Sequence, residues 1–178
     1  VLNGRWQAEN STISPLGPLV WLPLLLGLSG GWLVLAMAWQ CLTGGVTVGL
    51  IGLFARRYLP PSGALLAALG AALYIPFIVY DTLPLTESVI NLTLLLAVGA
   101  FLRLRERPTL IRAMLFGLAL GAAFLAKPSL LVLPAALIFG DGLERGWRGA
   151  WRLWPHWGMA LLTALLVISP YLYRARQL

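Results

Sequence analysis

Two carboxylates lie close together in a chain that has few of them. Asp81 and Glu87 flank Pro84 in the stretch YDTLPLTESVIN, residues 80–91, and long apolar runs precede and follow it. A carboxylate beside a membrane-length apolar run is costly unless it has a partner or a function. Carboxylates can deprotonate a hydroxyl group or hold a divalent metal. We therefore interpret this stretch as one wall of a polar site.

A second interpretation of the two acids involves helix ends alone. Asp81 would cap a turn, and Glu87 would lie in the first turn of the next helix. There a carboxylate satisfies free backbone N–H groups and interacts favourably with the helix dipole. The two interpretations are compatible, and both remain open at this point.

The composition is that of a multi-pass membrane protein. Of the 178 residues, 60% are hydrophobic and 11% are charged, and the mean hydropathy of +0.85 lies outside the range of soluble domains. The net charge of +7 does not indicate nucleic acid, because the basic residues mark the ends of apolar runs. The single cysteine, Cys41, excludes a disulfide framework within this chain. No P-loop, zinc-protease, serine-hydrolase or dinucleotide-binding motif is present.

The apolar runs predict an all-α transmembrane helical bundle of about six spans. The spans cover residues 31–54, 62–79, 86–102, 110–126, 129–140 and 153–170. Residues 1–30 are predicted to form an external segment, interfacial or re-entrant, because three prolines interrupt its apolar part. The whole chain, 1–178, is then one partial transmembrane domain with its helical spans over 31–178. Since it begins without Met, we expect a fragment.

Two local patterns predict how the spans are shaped and packed. Gly45 and Gly49 have the small-xxx-small spacing that lets helix backbones approach closely in lipid, so close packing is expected there. Pro76 is expected to kink the far end of the second span. The fifth span, at 129–140, is short for a full crossing and must tilt or line a polar region.

The basic residues predict an orientation in the membrane. Nine of them fall on one side of the predicted spans and four on the other, and the positive-inside rule makes the richer side cytoplasmic. The predicted cytoplasmic segments are 56–61, 103–112 and 141–152, and the predicted external ones are 80–87 and 127–128. The acidic stretch, Lys127 and Arg174 are therefore expected to share the outer face.

The order and spacing of several motifs resemble those of the GT-C membrane glycosyltransferases. The closest likeness is to the protein O-mannosyltransferase and aminoarabinose-transferase relatives. Glu87-Ser88 opens one span, and the Gly-rich stretch GLALGAAFLAKP brings Lys127 to the outer face. Pro170 and Arg174 resemble the family's closing Pro-Trp-x-x-Arg motif, with Tyr171 where Trp is usual. The proline-rich ISPLGPL, residues 13–19, resembles the segment after the family's first external loop, so the likeness covers nearly the whole chain.

This resemblance implies an inverting glycosyltransferase, hexosyl or pentosyl, of the cell envelope. Its donor would be a polyprenyl-phosphate-linked sugar and its acceptor a hydroxyl group of a protein, lipid or glycan. The enzyme would be an integral multi-pass protein of the bacterial plasma (inner) membrane, in contact with membrane lipids, with its active site facing the periplasm. Nucleic acid is not an expected partner.

The resemblance also assigns roles to residues of this chain. Lys127 and Arg174 would pair with the phosphate of the lipid carrier, and Asp81 and Glu87 would orient the sugar or a metal. The resemblance implies a fragment that lacks the first span and the first external loop, so the catalytic acid is expected upstream of Val1. The cofactor stays open, a divalent metal included, and no metal ligand is assigned. The alternatives are a transporter or flippase for a lipid-linked or anionic substrate, and a structural membrane subunit.

Overall fold

The computed structural model describes residues 22–82, 86–146 and 153–175. These residues form eight α-helices and one 3₁₀ turn: α1 (Leu22–Leu28), α2 (Leu33–Ala55), α3 (Pro61–Ala72), α4 (Ile75–Thr82), α5 (Glu87–Glu106), α6 (Leu110–Ala126), the 3₁₀ turn (Pro128–Val132), α7 (Leu133–Arg145) and α8 (Trp154–Ala175). The prediction of an all-α membrane bundle is confirmed. Most of the predicted external segment, 1–30, lies outside the described residues.

Within the part of the chain that the structure describes, three helices are long and apolar enough to cross a membrane: Val34–Ala55, Glu87–Glu106 and Trp154–Tyr173. Pro61–Ala72 and Leu110–Ala126 are apolar but shorter. Many large apolar side chains on these helices are exposed, including Val34, Leu53 and Leu166. In water such surfaces would be unfavourable, whereas lipid is their natural solvent. The first, third and sixth predicted spans therefore correspond to helices of full membrane length.

The chain separates into two compact units, and the division falls within α5. The first unit ends at Leu95 and includes the beginning of α5, and the second starts at Leu96 and runs to the end of the described chain. In the first unit, α2 packs against α1, α3 and α4. In the second, α8 packs along α6, and the 3₁₀ turn contacts α6 and α7.

A glycine turn joins α1 to α2. Gly30 has φ of 59°, a left-handed conformation that strains residues with a Cβ. Its N–H donates to the Gly27 carbonyl at 3.2 Å, and the Gly31 N–H donates to the Leu26 carbonyl at 2.8 Å. This is the Schellman pattern, which satisfies the last carbonyls of a helix and ends it sharply. The long helix α2 can therefore start soon afterwards in a new direction.

The prediction of one continuous span over 62–79 was wrong. The helix ends at Ala72, and α4 begins only at Ile75. Pro76 explains the break, since proline has no N–H to continue the helical hydrogen bonds and disfavours helical geometry at the preceding residue. The expected kink at Pro76 is thus a full interruption. The proline occupies the first turn of the new helix α4, where no N–H is needed.

The prediction of a helix over 129–140 was also inaccurate. Residues Pro128–Val132 form a 3₁₀ turn, and the α-helix begins at Leu133 with Pro134 in its first turn. By contrast α8 continues past Pro170 to Ala175. Pro170 cannot donate to the Leu166 carbonyl, and the Ser169 hydroxyl donates to it instead at 2.9 Å. This hydrogen bond satisfies the Leu166 carbonyl, for which lipid has no donor.

A side-chain bridge closes the turn between α5 and α6. The Thr109 hydroxyl caps α6 by accepting from the Arg112 N–H at 3.4 Å. The Arg112 guanidinium reaches back and donates to the Arg103 carbonyl at 2.8 Å and the Arg107 carbonyl at 3.4 Å. A cation is favourable at the carbonyls of a helix C-terminus. Arg112, counted above only as a topology signal, therefore also fixes the hairpin.

The core of the second unit is aromatic. Phe101, Phe116 and Trp157 are buried, and their ring centroids lie 5.2 to 5.6 Å apart. Such ring pairs contribute roughly 0.5–1.5 kcal/mol beyond their burial. The cluster joins the second half of α5 to α6 and α8, and so fixes the helices that lead to Lys127.

Close packing at Gly45 and Gly49 was predicted wrongly. A methyl group added at either glycine would meet nothing within 4 Å in the described structure. Gly117 and Gly121 have the same spacing on α6, and there a methyl group would lie 2.8 Å from Thr163 Cβ and 2.9 Å from Val167 Cβ on α8. The backbones of α6 and α8 therefore approach as small-xxx-small pairs do in membranes.

Candidate functional site

The acidic stretch is split between two helices of the first unit. Asp81 lies at the end of α4, and its side chain is outside the described set. Glu87 is the first residue of α5, so it lies in the first turn of the helix, as the second interpretation expected. Ser88 follows and is only 1% exposed. The helix dipole favours a carboxylate at the Glu87 position.

A buried amide on α2 joins these two helices. Gln40 is fully buried, and its Nε2 donates to the Tyr80 carbonyl at 3.0 Å and to the Ser88 hydroxyl at 3.4 Å. Tyr80 lies in the last turn of α4, whose carbonyls have no partner within the helix. The amide therefore satisfies a helix C-terminus and contacts the first turn of α5 with the same nitrogen.

Gln40 was not among the residues predicted for the site. The sequence feature that could have identified Gln40 is an amide side chain in the middle of the apolar run LVLAMAWQCLTGG. Polar side chains in a spanning helix usually bond to a neighbouring helix, and each such bond contributes on average about 0.6 kcal/mol in membrane proteins. An amide in an apolar run predicts that some hydrogen-bond partner exists. It does not identify that partner, because Tyr80 and Ser88 are 40 and 48 residues away from Gln40 in the sequence.

The surroundings of the Glu87 carboxylate bear on the polar-site interpretation. Its Oε2 atom is buried and has no hydrogen-bond partner among the described residues. A buried oxygen without a donor is unfavourable by roughly 1–3 kcal/mol. A ligand hydroxyl, or a cation, would supply the interaction that is lacking there. This observation is compatible with both the polar-site and the helix-end interpretations.

Lys127 lies at a break between helices in the second unit. It ends α6 in an extended conformation, its N–H donates to the Ala123 carbonyl at 2.9 Å, and Pro128 starts the 3₁₀ turn behind it. The residue is exposed, and within the described ranges no side chain pairs with its ammonium group. An ammonium in this setting can anchor the helix end to lipid headgroups or bind a phosphate.

The remaining predicted residues complete the set. Arg174 lies in the last turn of α8, and its side chain is outside the described set. Glu87 belongs to the first unit and Lys127 to the second, so the meeting of the two side chains at one site stays a prediction. Among the described residues, no group of three or more His, Cys, Asp or Glu side chains could hold a metal ion.

A second polar cluster lies at the opposite end of α6 from Lys127. Arg105, near the end of α5, pairs with Asp141 and Glu144 on α7, with N–O distances of 2.5 and 2.7 Å. The short turn after α5 leads directly into α6, and Lys127 follows the last residue of that helix, about 25 Å away at 1.5 Å per residue. The ion-pair cluster is therefore separate from the Lys127 end.

Comparison with known proteins gives one match. Residues 15–173 match the family model described as dolichyl-phosphate-mannose-protein mannosyltransferase. The chain matches no curated protein and no solved structure. The matched range covers most of the chain and includes Glu87, Lys127 and the helices on which they lie. It agrees with the resemblance to membrane glycosyltransferases drawn from the motifs. The chain therefore belongs to the dolichyl-phosphate-mannose-protein mannosyltransferase family.

Proposed function

We propose that the protein transfers a sugar, mannose in the first instance, from a polyprenyl-phosphate carrier to a hydroxyl group of a protein. The observation that carries this proposal is the family match over residues 15–173, because the family name states both a lipid-phosphate donor and a protein acceptor. The transfer would invert the anomeric centre and take place at the outer face of a bacterial plasma membrane. The catalytic acid would lie upstream of Val1.

Lys127 would bind the phosphate of the donor. Breaking the bond between sugar and phosphate leaves a phosphate with added negative charge, and an ammonium group stabilises that charge as a compact point charge. The exposed Lys127, at a helix break and without a protein partner in the described ranges, is chemically suited to this role. Arg174 on α8 would supply a second cation.

Glu87 would orient the hydroxyl groups of the sugar or of the acceptor. Its Oε2 atom is buried and lacks a donor among the described residues, and a sugar hydroxyl is a donor of the right kind. Asp81, six residues earlier at the end of α4, would act beside it. In this proposal the helix-dipole role of Glu87 persists, since one carboxylate has two oxygens and can serve both.

The ion pair between α5 and α7 supports the proposed topology. Arg105 and Asp141 belong to two segments, 103–112 and 141–152, that are both proposed to be cytoplasmic, and their contact requires the two segments to lie at the same end of the second unit. Lys127 follows the far end of α6 and would then face outwards. Lys127 would therefore be available to a donor whose sugar is presented outside.

The test is a transfer assay with the full-length protein in lipid vesicles. Polyprenyl-phosphate mannose, labelled in the sugar, would be supplied with a peptide that contains Ser and Thr. We expect labelled, O-linked mannose on the peptide with the opposite anomeric configuration to the donor. Movement of the donor across the vesicle membrane without any transfer would contradict the proposal and would favour the transporter alternative. Transfer from a nucleotide sugar but not from the lipid donor would also contradict it.

A further inference from the structure

We infer that Gln40 is the residue that positions the acidic site, a role that rests on the function proposed above. Its amide is fully buried on α2 and bridges the end of α4 to the start of α5. The two predicted acids lie next to its two partners in sequence: Asp81 follows Tyr80, and Glu87 precedes Ser88. One side chain thus contacts the residue next to each acid, through the Tyr80 backbone carbonyl and the Ser88 hydroxyl.

The chemistry of the amide fits this role better than a general packing role. An amide nitrogen has two protons, and here the nitrogen lies 3.0 Å from the Tyr80 carbonyl oxygen and 3.4 Å from the Ser88 hydroxyl oxygen, so it can donate to both. The Tyr80 carbonyl would otherwise be one of the unsatisfied carbonyls at a helix end. A carbonyl at a helix end needs a donor from outside the helix, so the position of the α4 terminus depends on Gln40.

The level of Gln40 along α2 also matters. It lies seven residues after Leu33, the first residue of α2, so its Cα is about 10 Å along the helix axis at a rise of 1.5 Å per residue. Tyr80 and Ser88 therefore contact α2 at this distance from its N-terminal end, and not at the end itself. The acids beside them are therefore recessed from the end of this spanning helix, which suits a sugar attached to a lipid phosphate.

Two other polar residues on α2 show what a purely structural role looks like. The Thr47 hydroxyl donates to the Thr43 carbonyl at 2.9 Å, and the Thr43 hydroxyl donates to the Trp39 carbonyl at 3.0 Å. Both bonds stay within the helix and touch neither α4 nor α5. Thr47 is buried, like Gln40, so Thr47→Val removes a buried polar group from the same helix without altering the bridge.

The first experiment measures the bridge directly and does not depend on activity. In the full-length protein with Cys41→Ser and Thr86→Cys, the rate of reaction of the new thiol with the membrane-permeant N-ethylmaleimide reports how well the start of α5 is held. We expect Gln40→Met to raise this rate at least about fivefold, Ser88→Ala to raise it less, and Thr47→Val to leave it unchanged. An unchanged rate in Gln40→Met, at matched membrane insertion, would overturn the inference whether or not the protein transfers sugar.

The second experiment measures the consequence for transfer. Gln40→Met should lower kcat about tenfold, with KM for the lipid donor within about twofold, because the donor phosphate is bound elsewhere. The kcat of the double variant Gln40→Met/Glu87→Gln should be no lower than that of the less active single variant, since both changes disable the same carboxylate. Normal kcat in Gln40→Met, or fully multiplicative losses in the double variant, would remove the positioning role even if the thiol rate had risen.

Discussion

Arg105 and Asp141 form an ion pair in which the guanidinium Nε lies 2.5 Å from the carboxylate Oδ1, and the Asp141 side chain is only 2% exposed. The same guanidinium contacts Glu144 at 2.7 Å, but the Glu144 side chain is 67% exposed. Burial therefore separates two carboxylates that share one cation. Only the buried one is expected to matter for stability, because water screens the other.

The first prediction follows from this difference. Asp141→Ala should lower the free energy of unfolding by about 3–5 kcal/mol, since it leaves Arg105 without its buried partner. Glu144→Ala should lower it by less than about 1 kcal/mol. Denaturant unfolding of the detergent-solubilised protein, followed by Trp fluorescence, measures both values. Equal losses of unfolding free energy in the two variants would show that burial does not determine how much each ion pair contributes to stability.

The second prediction concerns the two glycine pairs. Gly117→Ala should destabilise the protein by about 1–3 kcal/mol, because the added methyl group would collide with the Ala160 backbone carbonyl on α8, which cannot move without moving the helix. Gly45→Ala is the matched control on α2, where the methyl group has open space and should be neutral or slightly stabilising. Thermal unfolding of both variants in one detergent decides this. Tolerance of alanine at Gly117 would contradict the close approach of α6 and α8.

The third prediction concerns the proposed substrate-binding residues. Lys127→Ala and Glu87→Gln should each reduce sugar transfer at least about tenfold, equivalent to roughly 1.4 kcal/mol of transition-state stabilisation, with membrane insertion unchanged. Arg107→Ala is a suitable control, because it removes an exposed cation just beyond the end of α5, far along α6 from Lys127. Near-normal transfer by both site variants would identify Lys127 and Glu87 as helix-end anchors only.

The fourth prediction is the orientation in the membrane. In a Cys41→Ser background, a cysteine at position 86 should react with a membrane-impermeant maleimide added outside intact cells, and a cysteine at position 107 should react only after the membrane is opened. The expectation rests on the excess of basic residues on the side of position 107. Labelling of position 107 but not 86 in intact cells would invert the proposed topology, and with it the external position of Lys127.

Features that depend on neighbouring residues could be predicted from the sequence. The all-α class, the start of a helix at Glu87 and the break at Lys127-Pro128 all follow from apolar runs, a helix-favouring acid and a proline. The interruption before Pro76 was only half recognised, since a proline can either kink a helix or end it. Which of the two happens depends on whether other groups satisfy the freed carbonyls, as Ser169 does before Pro170.

Features that depend on distant residues could not be predicted in this way. Gly45 and Gly117 belong to identical spacing patterns, yet among the described residues Gly117 meets another helix and Gly45 does not, because spacing does not reveal which face of a helix has a neighbour. Gln40 is similar: the sequence shows an amide in an apolar run, but its partners are fixed by the packing of α2, α4 and α5. The carboxylates of the proposed site and the Gln40 amide were all visible as residue types, but the contacts of the amide with Tyr80 and Ser88 were not.

The glycine surface of α6 has a consequence for the order of assembly during synthesis. The ribosome synthesises α5, α6 and the turn that Arg112 closes before it synthesises residues 154–175. During that interval the groove at Gly117 and Gly121 faces lipid or the insertion machinery, and only the arrival of α8 fills it. The contact between α6 and α8 can therefore form only after α8 has entered the membrane.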